Sequence, residues 1–246
     1  MRLNDDLSTP IVMHAGQIDW VASPAKGVDR RMLFRIGEEK ARATSIVRYA
    51  PGSHFARHSH PGGEEFLVLD GIFQDETGDF PAGSYVRNPP TSGHAPGSET
   101  GCIIFVKLWQ FRSDDRHKVL RRPDEAGAML PRPGVHSSRL LFEGVDERVM
   151  LESWAAGAAI DLANANGLEL LVIDGGFTHG SDILERWSWL RLPAGVPFHA
   201  HIGENGAALL DCDRVVDGYS RCLKVTIERL VGAFCGTELP PDSRVG

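Results

Sequence analysis

Residues 52–71 read GSHFARHSHPGGEEFLVLDG. His58 and His60 are two residues apart, so on a β-strand both imidazoles point to one face. Pro61-Gly62-Gly63 then turns the chain, and Glu64 starts the returning strand. Glu65 to Gly71 is a short apolar strand closed by a turn, suited to holding such a hairpin against a hydrophobic layer. His94 follows Pro89-Pro90-Thr91-Ser92-Gly93, a strand-end signal from which a fourth side chain can project. Three neutral imidazoles and a carboxylate suit a divalent transition metal, and zinc, iron, nickel, copper and manganese all accept nitrogen and oxygen ligands.

With Gly52, His58, His60, Glu64 and Gly71 at these spacings, the stretch resembles the first signature motif of the cupin superfamily, and Gly83 to His94 resembles the second. The wording HSHPGGEEFLVLDGIFQDETGDFPAGSYVRNPPTSGHAP is similar to the ChrR-type cupins, over roughly residues 15 to 115. The resemblance implies that His58, His60, Glu64 and His94 ligate one ion, Fe2+ or Zn2+, with Ni2+ or Mn2+ as further options. Two roles follow from it. One is a sensor of singlet oxygen or organic hydroperoxide that controls a sigma factor. The other is an iron dioxygenase cleaving a small chelating ketone, which is the favoured reading. In the ChrR pattern the sigma factor is bound by a separate helical domain with its own His and Cys ligands. The region before the first barrel here is about thirty residues with His14 and no cysteine, so a sigma-factor partner is not expected.

The net charge of −7 speaks against a nucleic-acid or anionic-membrane surface, because such binding rests on clustered Lys and Arg. No stretch approaches 18 apolar residues and MRLNDDLSTP lacks the marks of a signal peptide, so the expected location is the cytoplasm. The four cysteines, Cys102, Cys212, Cys222 and Cys235, form no CxxC pair and read as small apolar fillers. The expected partners are a small-molecule substrate or an oxidant signal, and a twofold homodimer is the default if the chain associates.

Short strands separated by turn clusters such as Asp75-Glu76-Thr77-Gly78-Asp79 indicate an all-β sandwich or barrel. A repeat at a shift of 104 to 105 residues doubles it: Glu65-Phe66-Leu67-Val68-Leu69-Asp70-Gly71 answers Glu169-Leu170-Leu171-Val172-Ile173-Asp174-Gly175. The expected architecture is two tandem cupin (RmlC-like jelly-roll) barrels. Residues 1–122 form the metal-binding barrel with an N-terminal arm, 123–134 a linker, 135–237 a degenerate second barrel and 238–246 a flexible tail.

Counting from Gly157 puts Ala163 and Ala165 at the two histidine positions, and Leu168 replaces the glutamate. His94 falls on Phe198 or His199, depending on the shift. His199, His201 and Glu204 echo the ligand theme but are expected in a solvated loop. Among residues near the motif, His54 shares the face of His58 and His60 by alternation and is the pocket candidate for a proton donor. Arg87 recurs as Arg191 and reads as a structural ion-pair partner.

Overall fold

The computed structural model describes residues 1–38, 40–125, 132–145 and 147–214. Half of the expected linker (126–131), the tail, residues 215–237 of the second barrel, Cys222 and Cys235 lie outside them. Among the described residues the chain is β throughout, apart from one 3-10 turn at Ala15–Gln17. It forms two jelly-roll barrels in tandem, as the repeat predicts.

In the first barrel the strand Glu64–Asp75 lies at the centre of the sheet, paired antiparallel with Cys102–Leu108 and Tyr85–Asn88. Alternation sends Phe66 and Val68 into the barrel interior, with Val47, Phe73, Phe80, Val86 and Ile104. The pairing slips by one residue at Leu69, between Asp70 opposite Ile103 and Val68 opposite Ile104. That bulge inverts the alternation, so Phe73 points inward although it is odd-numbered. The second barrel repeats the device, slipping between Val172 and Asp174 in Leu168–His179.

The two copies also share a close crossing. Gly71 (φ 71°) and Gly175 (φ 67°) have left-handed backbone, and a Cβ on either would lie 2.2 or 2.1 Å from the carbonyl oxygen of Gly101 or Gly206. This equivalence settles the shift at 105 for the last strands, while the central strands keep 104.

The barrels share a third core, in which Leu33, Phe34, Leu67, Tyr85 and Phe105 of the first pack with Leu141, Phe142, Leu171, Trp189 and Leu210 of the second. Within it lies a buried charge network. Lys107 Nζ is 3.1 Å from Glu65, 2.8 Å from Glu147 and 3.3 Å from Glu169. Arg87 pairs with Asp115 at 2.8 Å and is stacked on Phe111 and Phe142. The arm ties the barrels further. Ile11–His14 joins the second barrel's sheet by pairing with Ser188–Leu192, while Arg2–Leu3 pairs with Val28–Gly37 of the first. Trp20 anchors it, with the Arg31 and Arg48 guanidiniums 4.3 and 4.6 Å from its ring and Trp187 edge-on at 6.3 Å.

Inside the second barrel, Asp211 and Glu152 occupy the register positions of Val106 and Val47. Glu152 is held by Arg132, Ser138 and Trp154. Asp211 is buried and its carboxyl is pushed up to about 8, first by burial and then by the charges of Glu152 and Asp213. Between its ordinary pKa and about 8 the folded state binds more protons than the unfolded one, so stability falls as pH rises through that window.

Two measurements check these assignments. Urea unfolding from pH 5 to pH 8 should show the parent losing about 3–4 kcal/mol relative to Asp211→Asn, which has no proton to release; parallel curves would contradict the buried acid. Gly52 (φ 72°) has open space where its Cβ would go, so Gly52→Ala should cost about 1 kcal/mol from backbone conformation alone. Gly71→Ala carries the same backbone cost and should lose about 1–3 kcal/mol more from the clash with Gly101.

Candidate metal centre

The strand His58–His60 forms a two-stranded ribbon with Ser92–His94, and His94 lies directly opposite His58. This pairing brings residues 34 to 36 positions apart in sequence to one point. The imidazole centroids are 4.9 Å (His58–His60), 5.5 Å (His58–His94) and 4.9 Å (His60–His94) apart. Each ring offers a nitrogen within 4.8 Å of the others, the one such group among the described residues. Glu64 completes the arrangement, its Oε2 lying 3.5 Å from His60 Nε2 and 3.4 Å from His94 Nε2.

These distances fit a shared ion. Two donors each about 2.1 Å from one metal lie about 3.0–3.4 Å apart at octahedral or tetrahedral angles. His60 Nε2 is buried without a hydrogen-bond partner, a costly arrangement for a lone pair unless a cation takes it up. Burial, reinforced by His58, lowers His60 to about 4, and burial also lowers His94, so both rings are neutral at physiological pH as ligation requires. Burial raises the Glu64 carboxyl, against the favourable charges of His94 and His58 and a hydrogen bond from Asn88 Nδ2 at 3.3 Å. His58 Nδ1 lies 3.1 Å from the carbonyl oxygen of Ala56, which leaves Nε2 as its free donor atom.

The turn after His60 is glycine for a steric reason. The Trp109 indole lies flat on Gly62 and the Phe111 ring on Gly63, and a Cβ would meet them at 2.2 and 2.5 Å. Trp109 itself has φ 57° and donates its backbone N–H to the Gly63 carbonyl at 3.1 Å. Burial pushes the Cys102 thiol up to about 11, so this core cysteine is no thiolate.

His54 does not join the three imidazoles. It ends the short strand Ser53–His54, and residues 55–57 belong to no strand before His58, so alternation cannot be carried across. Its exposed Nε2 pairs instead with Glu99 at 2.9 Å. In the second barrel the counting from Gly157 is one residue out. Leu162 pairs with Phe198 as His58 pairs with His94, and Asn164 accepts from Gly195 N–H as His60 accepts from Thr91 N–H. Phe198 meets Phe177 with ring centroids 5.8 Å apart, as His94 meets Phe73 at 5.7 Å, so Phe198 rather than His199 holds the fourth position. His199, His201 and Glu204 lie in the long strand Phe198–Arg214, not in a loop. His199 is exposed and bonded to Asp161, and its backbone carbonyl accepts from His179.

Three residues around the centre escaped the sequence reading: Asn88, Asp75 and Glu76. Asn88 holds Glu64, and Asp75 Oδ2 is 3.4 Å from His94 Nδ1. Asp75 stands eleven residues from Glu64, so simple alternation puts the two on opposite faces; the Leu69 bulge brings them to the same one.

Residues 8–112 match the family described as the ChrR cupin-like domain. The first barrel is thus similar to the ChrR cupin-like domain. Among solved structures, the chain is similar to a candidate dioxygenase from Nostoc punctiforme (12% identity, 86% of this chain and 84% of that one, TM-score 0.65). It is also similar to the pirin YhhW from Escherichia coli, solved in complex with nickel(II) (14%, 85% and 100%, TM-score 0.64). A third is a deletion mutant of oxalate decarboxylase from Bacillus subtilis (13%, 83% and 76%, TM-score 0.60). At these identities the likeness is one of fold, and it extends across both barrels. No curated protein sequence matches the chain. No helix among the described residues is long and apolar enough to cross a membrane.

Because the indole covers Gly62, Gly62→Ala should push Trp109 further into water. The expected readout is a red shift of tryptophan fluorescence and a loss of about 1–3 kcal/mol in stability; an unshifted spectrum would mean the indole packs elsewhere.

Proposed function

We propose that His58, His60, Glu64 and His94 of this ChrR-like cupin hold one divalent transition-metal ion, and that the protein is a mononuclear non-haem dioxygenase acting on a small chelating ketone. The observation that carries the reading is the asymmetry of the ligand set. His60, Glu64 and His94 are buried, whereas His58 is exposed, so the cluster is open on one side. A structural zinc site is closed, with no approach for a further ligand. A bound ion would supply a Lewis acid at which oxygen and the two oxygens of a chelating ketone can meet.

The chain's own residues do the rest. With three neutral imidazoles and one ionised carboxylate around it, a divalent ion would keep a single positive charge and would favour an anionic, enolate-like oxygen. Phe66, Phe73 and Phe80 make the inner wall apolar and keep water from the side opposite the opening. Asn88 restrains Glu64 so that one oxygen faces the histidines.

A second reading, a metal-dependent sensor of singlet oxygen or hydroperoxide, is favoured by the match of residues 8–112 to the ChrR cupin-like domain. In that case the exposed His58 is the ligand an oxidant reaches first. Among the metals, iron suits the first reading and zinc the second, and the nickel bound by the pirin of similar fold keeps nickel in the set to be assayed.

The test is elemental analysis of protein purified under low oxygen, followed by oxygen uptake with a panel of diketones and aryl hydroxyketones. About one iron per chain is expected, lost in His58→Ala, with oxygen consumed by at least one ketone. Zinc alone, released by hydroperoxide and with no oxygen uptake, would transfer the conclusion to the sensor.

A further inference from the structure

We infer that Asp75 is the positioning residue of this centre: it fixes the His94 ring so that Nδ1 carries the hydrogen and the Nε2 lone pair faces the cation. The inference rests on the metal-site reading above. The two nitrogens of His94 face two different carboxylates, Nδ1 toward Asp75 Oδ2 and Nε2 toward Glu64 Oε2, each at 3.4 Å. A neutral imidazole has one hydrogen to give. With a cation at Nε2 that hydrogen must sit on Nδ1, which is shut off from water and makes no hydrogen bond of regular geometry. Asp75 is the group that faces it there, its side chain 8% exposed.

The carboxylate is itself held in place. Its Oδ1 accepts hydrogen bonds from the backbone N–H of Thr77 at 2.7 Å and from Thr77 Oγ1 at 2.6 Å, which leaves Oδ2 for the imidazole. Glu76, the next residue, accepts from Ala95 N–H at 2.8 Å and binds the Arg57 guanidinium, whose Nη2 donates to the Gly93 carbonyl at 2.9 Å. The residues on both sides of His94, and the residue before His58, are therefore tied to the same turn. Phe73 packs on the His94 ring and limits its rotation. The Asp75–Thr77 turn thus orients the fourth ligand through its ring and through its backbone together. An imidazole backed by a carboxylate is also a more basic donor than one left to itself.

The experiment compares the parent with Asp75→Asn, which keeps the shape of the side chain and removes its charge. Zinc affinity is measured by competition with a chromophoric chelator, and the visible spectrum is recorded with cobalt(II) as the probe. The expected result is zinc affinity about 10–100-fold weaker in the variant and shifted cobalt bands, with unchanged near-ultraviolet circular dichroism of the metal-free protein. Affinity within twofold of the parent and an unchanged cobalt spectrum would reduce Asp75 to a turn residue and overturn the inference, leaving the metal site itself standing. A parent that binds neither zinc nor cobalt would instead remove the metal-site reading. Should the variant fail to fold, the zinc-loaded parent decides by itself. Its proton–nitrogen correlation spectrum should show a downfield, slowly exchanging hydrogen on His94 Nδ1, and rapid exchange of that hydrogen with water would overturn the assignment.

Discussion

The unpaired residue Leu69 is the constraint on which the first barrel turns. A regular strand from Glu64 to Asp75 would send its two ends to opposite faces. The slip at Leu69 makes Glu64, Phe66, Val68, Phe73 and Asp75 all face inward. One strand thereby delivers a carboxylate to the histidine cluster from each end and fills the barrel between them. The price is a break in the ladder, and it is offset where Gly71 lies against Gly101 so closely that no side chain fits between. Because the slip recurs at Ile173 in the second barrel, it belongs to the architecture of the repeat rather than to the metal centre alone.

The outward face of the same strand joins the barrels. Glu65 is the neighbour of Glu64, yet it points away from the centre and meets Lys107, which also reaches Glu147 and Glu169 across the boundary. Buried charges of this kind contribute little to net stability when fully paired, but removing one partner strands the rest. Their effect is to fix one docking of the two barrels, which apolar contacts by themselves would leave freer to slide. The arm strand Ile11–His14, lodged in the second barrel's sheet, adds a covalent tether to the same docking. The second barrel meanwhile has apolar side chains at the matching positions: Leu162, Leu168 and Phe198 stand where His58, Glu64 and His94 stand in the first. Its interior charge has moved to Glu152 and Asp211, positions that are valine in the first barrel.

The candidate cluster was legible because the motif keeps fixed spacings on either side of a tight turn, and a two-residue interval has only one geometric meaning on a strand. His94 was legible only through its neighbours, the prolines and glycine that end a strand. His54 shows where the same rule fails, since an even interval of four positions puts it on the face of His58 on paper while residues 55–57 belong to neither strand. The counting in the second copy failed by one residue for a related reason. Gly157 follows the 105 shift that also relates Gly206 to Gly101, whereas the pairing of Leu162 with Phe198 follows the 104 shift of the central strands. A gap of one residue is invisible in an alanine-rich stretch such as 155–165, where neighbouring frames look alike.

By itself, then, the amino-acid order determined the two β barrels, the repeat that relates them and the identity of three imidazoles and a carboxylate, because periodicity, turn residues and ligand spacing are local properties. Tertiary structure alone decided that Asp75 stands behind His94, that His54 turns to Glu99, and that the arm belongs to the second sheet. Those outcomes depend on a bulge, on an interruption between strands and on a pairing between residues 11–14 and 188–192, and none of these leaves a local mark in the chain.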